Sequence, residues 1–174
     1  MRNRLLLVIC AGAMLVLMGS PSRAETISIA SSVSYAANSG ISKKQKTDCT
    51  LDVRLPKHIE SAAGSEIEIV ILEDAVDTVP GKALHLEFAH VFAQPGKWIS
   101  GSAAVAVRGQ LKENGEEIGS VTAFRTTSRA DIAGKVDGLE GACAMLNRCI
   151  EVIGHDIATW LERPTMNAKL GDAK

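Results

Sequence analysis

The chain has no excess of positive charge, and no run of Lys or Arg interleaved with aromatic residues. Those absences argue against nucleic acid, or an anionic lipid surface, as a general partner. It also has no G-x-S-x-G, no S-x-x-K and no C-x-x-C, so the common nucleophile and redox signatures are missing. Metalloprotease and EF-hand patterns are missing as well, and no His stands at finger spacing from a Cys. No catalytic residue, cofactor or metal set is assigned from sequence. No internal repeat or low-complexity tract interrupts the chain.

Nor is there an apolar run long enough for a membrane anchor, which needs about 20 residues. The longest run, Leu5 to Met18, follows Arg2 and Arg4 and leads to Ser22-Arg23-Ala24. Charged start, apolar middle and small residues at −3 and −1 make residues 1–24 a signal peptide cut before Glu25. Leu7-Val8-Ile9 precede Cys10, where lipobox processing wants a small residue just ahead of the Cys, and the apolar stretch before Cys10 is too short for an h-region, so no lipid anchor is expected. The mature protein is therefore expected in the bacterial periplasm. Removing the three leader arginines leaves 16 basic against 20 acidic residues, a net charge of −4 over 150 residues. That length suits one domain, taken as residues 25–163, with 164–174 as a flexible tail.

Three cysteines survive cleavage: Cys49, Cys143 and Cys149. The last two are six apart in a helical stretch, about 9 Å along the axis, beyond the roughly 7 Å limit of a disulfide. Cys49 then pairs with one of them, most simply Cys143, with Cys149 as the alternative. An oxidising compartment favours the bond.

Alternating apolar residues predict strands at 26–36, at Ile67-Ile69-Ile71, and at Leu84-Leu86-Phe88-Phe92 with His90 on the same parity. Asn114-Gly115 predicts a two-residue type I′ hairpin. Counting outward pairs Leu111 with Ile118 and Val107 with Thr122 on one face, and Ala106 with Ala123 and Arg108 with Val121 on the other. Ile41 to Thr47 reads as a polar linker. A short helix is expected from Pro56 to Gly64, because proline disfavours α geometry in the residue before it. Leu139, Ala142, Leu146, Ile150, Ile153, Ile157, Trp160 and Leu161 form one stripe at steps of three and four, a long final helix stopped by Pro164. The fold expected is α+β: a mostly antiparallel sheet of four to five strands with the long C-terminal helix and the short one on one face.

On this register the sheet face away from the helices carries Val70, Leu72, Ala89, Val91, Ala104, Ala106, Val121 and Ala123, ringed by His85, Glu87, Arg108 and Arg125. A solvated antiparallel face is normally more polar, so the surface suits a partner or self-association, unless the chain's own termini cover it. Trp98, in a loop with Ser100-Gly101-Ser102, adds a candidate binding anchor or anion nest. His85 and Glu87, two apart on one strand face, form with Arg108 the alternative centre of a hydrolase or a small-ligand or metal carrier. His155-Asp156 reads as a polar helix edge, since adjacent helical residues do not face each other.

Asp48-Cys49-x-Leu51 with Leu55-Pro56, then Trp98-x-x-Gly101, then Gly154-x-Asp156-Ile157-x-x-Trp160-Leu161 resemble small exported proteobacterial proteins of unknown function. The order of elements resembles the α/β modules of the TolB amino-terminal domain and the curli-secretion lipoprotein. That resemblance implies an envelope role and supplies no catalytic residue. The function expected is a binding or envelope-assembly accessory module without catalysis, its partner an envelope protein or a second copy.

Overall fold

The structure, a computed structural model, describes residues 24–73, 80–94, 101–128 and 138–173. Residues 1–23, nearly all of the expected signal peptide, and Trp98 lie outside the described residues. The chain is α+β, as expected, but among the described residues the sheet has seven strands and is mixed. Its strands are β1 (Glu25–Ala30), β2 (Ser34–Tyr35), β3 (Ile67–Leu72), β4 (Lys82–Gln94), β5 (Ser102–Glu113), β6 (Glu116–Ser128) and β7 (Ala168–Gly171). They run in the order β3-β1-β4-β5-β6-β7, with β2 also on β4. β4, β5 and β6 form an antiparallel meander, while β1–β3, β1–β4, β2–β4 and β6–β7 pair in parallel. The segment expected to be a loose tail thus supplies an edge strand, held against Val121–Phe124.

Three helices are described: α1 (Lys43–Cys49), α2 (Leu51–Ala62) and α3 (Gly138–Leu161). The expected linker is α1. Its start is a capping box in which Ser42 Oγ accepts from the Gln45 N–H and Gln45 Oε1 accepts from the Ser42 N–H. α2 begins five residues before Pro56 instead of at it. Proline cannot donate to the carbonyl four residues back. That carbonyl, on Asp52, accepts instead from the Val33 N–H at 3.1 Å. The helix keeps its proline because another segment satisfies the freed acceptor.

The stripe of α3 is the centre of the core: Leu146, Ile150, Ile153 and Ile157 are fully buried. α3 lies across β4, β5 and β6, and α2 packs against it. Gly154 permits that contact, since a Cβ there would stand 2.6 Å from His58 Cβ. The disulfide joins Cys49 to Cys143 with Cα atoms 5.0 Å apart, and Cys149 is a buried free thiol. Burial, and secondarily the charge of Asp172, push that thiol up to about 11.

Two β-bulges reverse expected parities. The hairpin turn is as read, with positive φ at Asn114 and Gly115, and Glu113↔Glu116 and Lys112↔Glu117 follow. An extra residue at Ile118 then pairs Leu111 with Gly119, so every later β6 side chain changes face. Gly119, Val121 and Ala123 turn inward, and the absent Gly119 side chain leaves room for the Trp160 ring, 3.0 Å from where its Cβ would be. Ala123 is 0% exposed, so it does not meet Ala106 on the outer face. Ala106 pairs with Phe124, and Arg108 with Thr122. On β4 the ladder slips at Ala89: Val91 is 2% exposed and in the core, whereas Phe92 is 45% exposed.

Candidate functional site

The face without helices begins at a break in β1. The strand pairs with β3 through Ala30 and Leu72, then lifts away from β4 over residues 31–33 and returns as β2 at Ser34. Ser32 Oγ donates to the Asp52 carboxylate and the Val33 N–H to the Asp52 carbonyl, which hold the lifted turn toward α2. The break opens a trough of about 720 Å³. Ala30, Ser32 and Ser34 line one side, Ser120, Thr122 and Asn167 the other, and His85, Glu87, Arg108, Gln110 and Glu117 lie between.

Strand register arranges these side chains in rows. His85, Gln110 and Ser120 form one row; Glu87, Arg108 and Thr122 form the next. Arg108 Nη1 stands 3.9 Å from Glu87 Oε2, with both side chains well exposed, a loose ion pair of small energetic value. Gln110 Nε2 donates to Glu117 Oε2 at 2.9 Å. Ser120 Oγ accepts the Asn167 N–H at 2.9 Å, tying the carboxy-terminal segment to the trough wall. Ser34 Oγ donates to the Leu86 carbonyl. The arrangement offers carboxylates, a guanidinium, amides and hydroxyls for binding. Among the described residues no group of three or more His, Cys, Asp or Glu is placed to hold a metal ion.

Further along the same face, beyond Glu87 and Arg108, the rows are His90–Ala106–Phe124 and Phe92–Ala104–Thr126, with His90 and Thr126 exposed. The two alanines make a low floor along β5 between the flanking aromatic side chains.

Of the residues expected at the site, His85, Glu87 and Arg108 come together in the trough, and Ala106 lies on the same face next to it. Ala123 is in the core. Arg125 is on the helix side, where Nε and Nη2 meet both Asp156 carboxylate oxygens at 2.8 and 2.9 Å. Its Nη1 is 3.7 Å from Asp172, and Asp172 accepts from the Thr126 N–H. The hydrogen bonds to Asp156, and secondarily the charges of Asp156 and Asp172, raise the Arg125 pKa above its ordinary value. Val121, Val91 and Ala123 leave the outer face, and Phe92 and Phe124 take it up. Gln110, Glu117 and Asn167 are trough residues that sequence reading missed. Gln110 follows Arg108 by two and was legible from strand parity; Asn167 reaches the site because β7, directly after it, pairs with β6, and four residues (Ala168–Gly171) are too short a run to mark a strand from sequence.

No family model matches the chain, and no curated protein sequence matches it. Solved structures share its fold. The DUF330-family protein XCC0632 of Xanthomonas campestris superposes with a TM-score of 0.53 at 10% identity, over 83% of this chain and 87% of that one. Protein CT253 of Chlamydia trachomatis gives 0.51 at 11% identity, over 79% and 98%. A minor lipoprotein of Acinetobacter baumannii gives 0.42 at 15% identity, over 83% and 97%. At these identities the first two show a likeness of fold alone.

Proposed function

We propose that the protein is a non-catalytic binding module of the bacterial envelope, and that it works from the helix-free face of its sheet. The observation that carries this reading is the continuity of that face: a trough of mixed polar and apolar lining runs directly into the low floor of Ala104 and Ala106, with Phe92 exposed. Buried faces do not leave an aromatic side chain in water, and solvated ones rarely carry such an apolar row. Envelope residence is supported by the leader-like segment and by a disulfide, which persists in oxidising compartments. β1 begins at Glu25, so a cut after Ala24 removes nothing from the sheet. No helix of the described residues is long and apolar enough to cross a membrane. An accessory role in envelope assembly, as the TolB- and curli-type resemblance implies, belongs to this reading.

The trough volume falls within the roughly 300–1,000 Å³ of small-molecule sites, which favours a small-ligand carrier as the second reading. The two are separated by photo-crosslinking in living cells with the probe at position 92, at position 122, or on the opposite side at Arg148. Envelope-protein adducts from 92 and 122 but not from 148 support a protein-binding face. Adducts confined to 148 would overturn it.

A further inference from the structure

We infer that two copies of the protein pair through the outer edges of their β3 strands, antiparallel, into one continuous sheet. The inference concerns the rim of the sheet and stands apart from the binding role of its helix-free face.

The two rims are built differently. Among the described residues, β3 and β7 end the strand order. β7 is 4 residues long and carries Lys169; Asn167 just before it and Gly171 at its end have positive φ, 56° and 69°. Short length, a lysine and a distorted backbone are the usual means of keeping an edge from pairing. β3 has none of them. Its 6 residues are Glu68 and otherwise aliphatic, and its ladder to β1 carries no bulge. A six-residue segment of this composition at an edge is a template for another strand. Val70, Ile71 and Leu72 are only half-buried.

Backbone direction says which groups that edge offers. The Glu66 carbonyl accepts from the Glu25 N–H, and the Leu72 carbonyl from the Ser31 N–H, both at 2.8 Å. Even-numbered residues of β3 thus turn their backbone toward β1, and odd-numbered ones turn theirs outward. The Ile67 N–H is taken up by the Gly64 carbonyl at 3.2 Å. Ile69 and Ile71 each present an outward N–H and C=O, and no strand of the described residues pairs with them on that side.

This set of groups matches itself, which selects a second copy over an unrelated strand. With Ile69 opposite Ile71 of the second copy, the twofold axis creates a second identical pair. Each pair exchanges both backbone bonds, so every outward group of the two residues is satisfied. In the same register Val70 meets its own counterpart at the axis, and Glu68 faces Leu72, so no like charges oppose. On the helix side the Ile69–Ile71 contacts extend a core that already holds Ile67 and Ile69.

Sedimentation velocity of the mature, disulfide-bonded protein is expected to show a monomer–dimer equilibrium. Val70→Lys sets two ammonium groups against each other at the axis and is expected to weaken the dimer at least tenfold with an unchanged melting temperature. Under mild oxidation Val70→Cys is expected to give a crosslinked dimer, because side chains opposed in a pair without hydrogen bonds are close enough for a disulfide. Glu68→Cys, about 14 Å from its own counterpart in this register, is expected to give none. A monomer at every concentration would overturn the pairing. So would a dimer that withstands Val70→Lys but is lost with Ala106→Glu, which lies on the helix-free face. Crosslinks between Val70→Cys and Leu170→Cys proteins would replace it with a head-to-tail contact of β3 and β7. Equal yields from the Val70→Cys and Glu68→Cys proteins would overturn the register even if Val70→Lys failed to fold.

Discussion

Arg125 of β6 and Asp156 of α3 meet in a two-point ion pair, 2.8 and 2.9 Å, across the interface between sheet and helix. The pair exists because the bulge at Ile118 turns Arg125 toward the helices. It also gathers the carboxy-terminal segment, since Asp172 stands against the same guanidinium. With side chains only 29% and 18% exposed, each partner depends on the other. Asp156→Asn and Arg125→Ala should each cost about 1.5–3 kcal/mol, the range for hydrogen bonds to charged groups. A double-mutant cycle by denaturant melts should return a coupling energy above about 0.5 kcal/mol, as directly bonded residues do. Additive losses would mean the two side chains act separately.

Peptide mapping without reductant should join Cys49 to Cys143, and Cys149 should resist thiol reagents until the protein unfolds. Loss of the bond should cost on the order of 4 kcal/mol in the chain-entropy account, for a loop of 94 residues. The thiol also sets an alkaline limit. Cys149 titrates at about 11 when folded and near 9.0 when unfolded, so between those values the folded state holds the extra proton. Stability should therefore be fully present below about pH 9 and fall as pH rises toward 11, by on the order of 2 kcal/mol for this group. Tyr35, pushed up to about 12 by burial and by the charge of Asp52, extends the decline. Melts that stay level from pH 8 to 11 would contradict this.

The packing of α3 makes two further variants informative. Ile153→Ala removes a fully buried side chain and should cost about 2–5 kcal/mol. Gly154→Val adds bulk where α2 comes closest, and should cost about 1–3 kcal/mol by overpacking. Losses under about 0.5 kcal/mol at both sites would show that the helices are not in contact as described.

Much of the fold was legible in the residues themselves. The stripe of α3 and the Asn114-Gly115 turn follow from periodicity and backbone preference; helix geometry excluded a Cys143–Cys149 bond and left Cys143 or Cys149 for Cys49, of which the structure has Cys143. What was not legible depends on single inserted residues. A bulge at Ile118 or Ala89 leaves alternation intact on either side and only changes its phase, so pattern counting carried Val91, Val121, Ala123 and Arg125 to the wrong face. Gly119 held the clue, since a side chain there would collide with Trp160. α1 was missed although Ser42 and Gln45 have capping-box spacing, and α2 was cut short because Pro56 was read without Val33, the donor that takes its carbonyl. His85, Glu87 and Arg108 do lie side by side, since they sit on the unbulged part of the β4–β5 ladder where strand parity holds.

The phase change is itself testable with one residue type. Ala106→Glu places a charge on the outer face and should shift stability by no more than about 0.5 kcal/mol. Ala123→Glu buries the same charge without a partner and should cost about 4 kcal/mol or more, or prevent folding. Equal effects would mean that both residues share a face and that the bulge is absent.

The central claim is that the helix-free face of the sheet is where the protein binds. It is tested most directly by the yield of envelope crosslinks from a photoreactive probe at position 92, measured in the wild-type and Ala106→Glu backgrounds at equal protein level. The account predicts a discrete protein adduct in the first that falls at least tenfold in the second. An adduct of unchanged yield in the Ala106→Glu protein would contradict it.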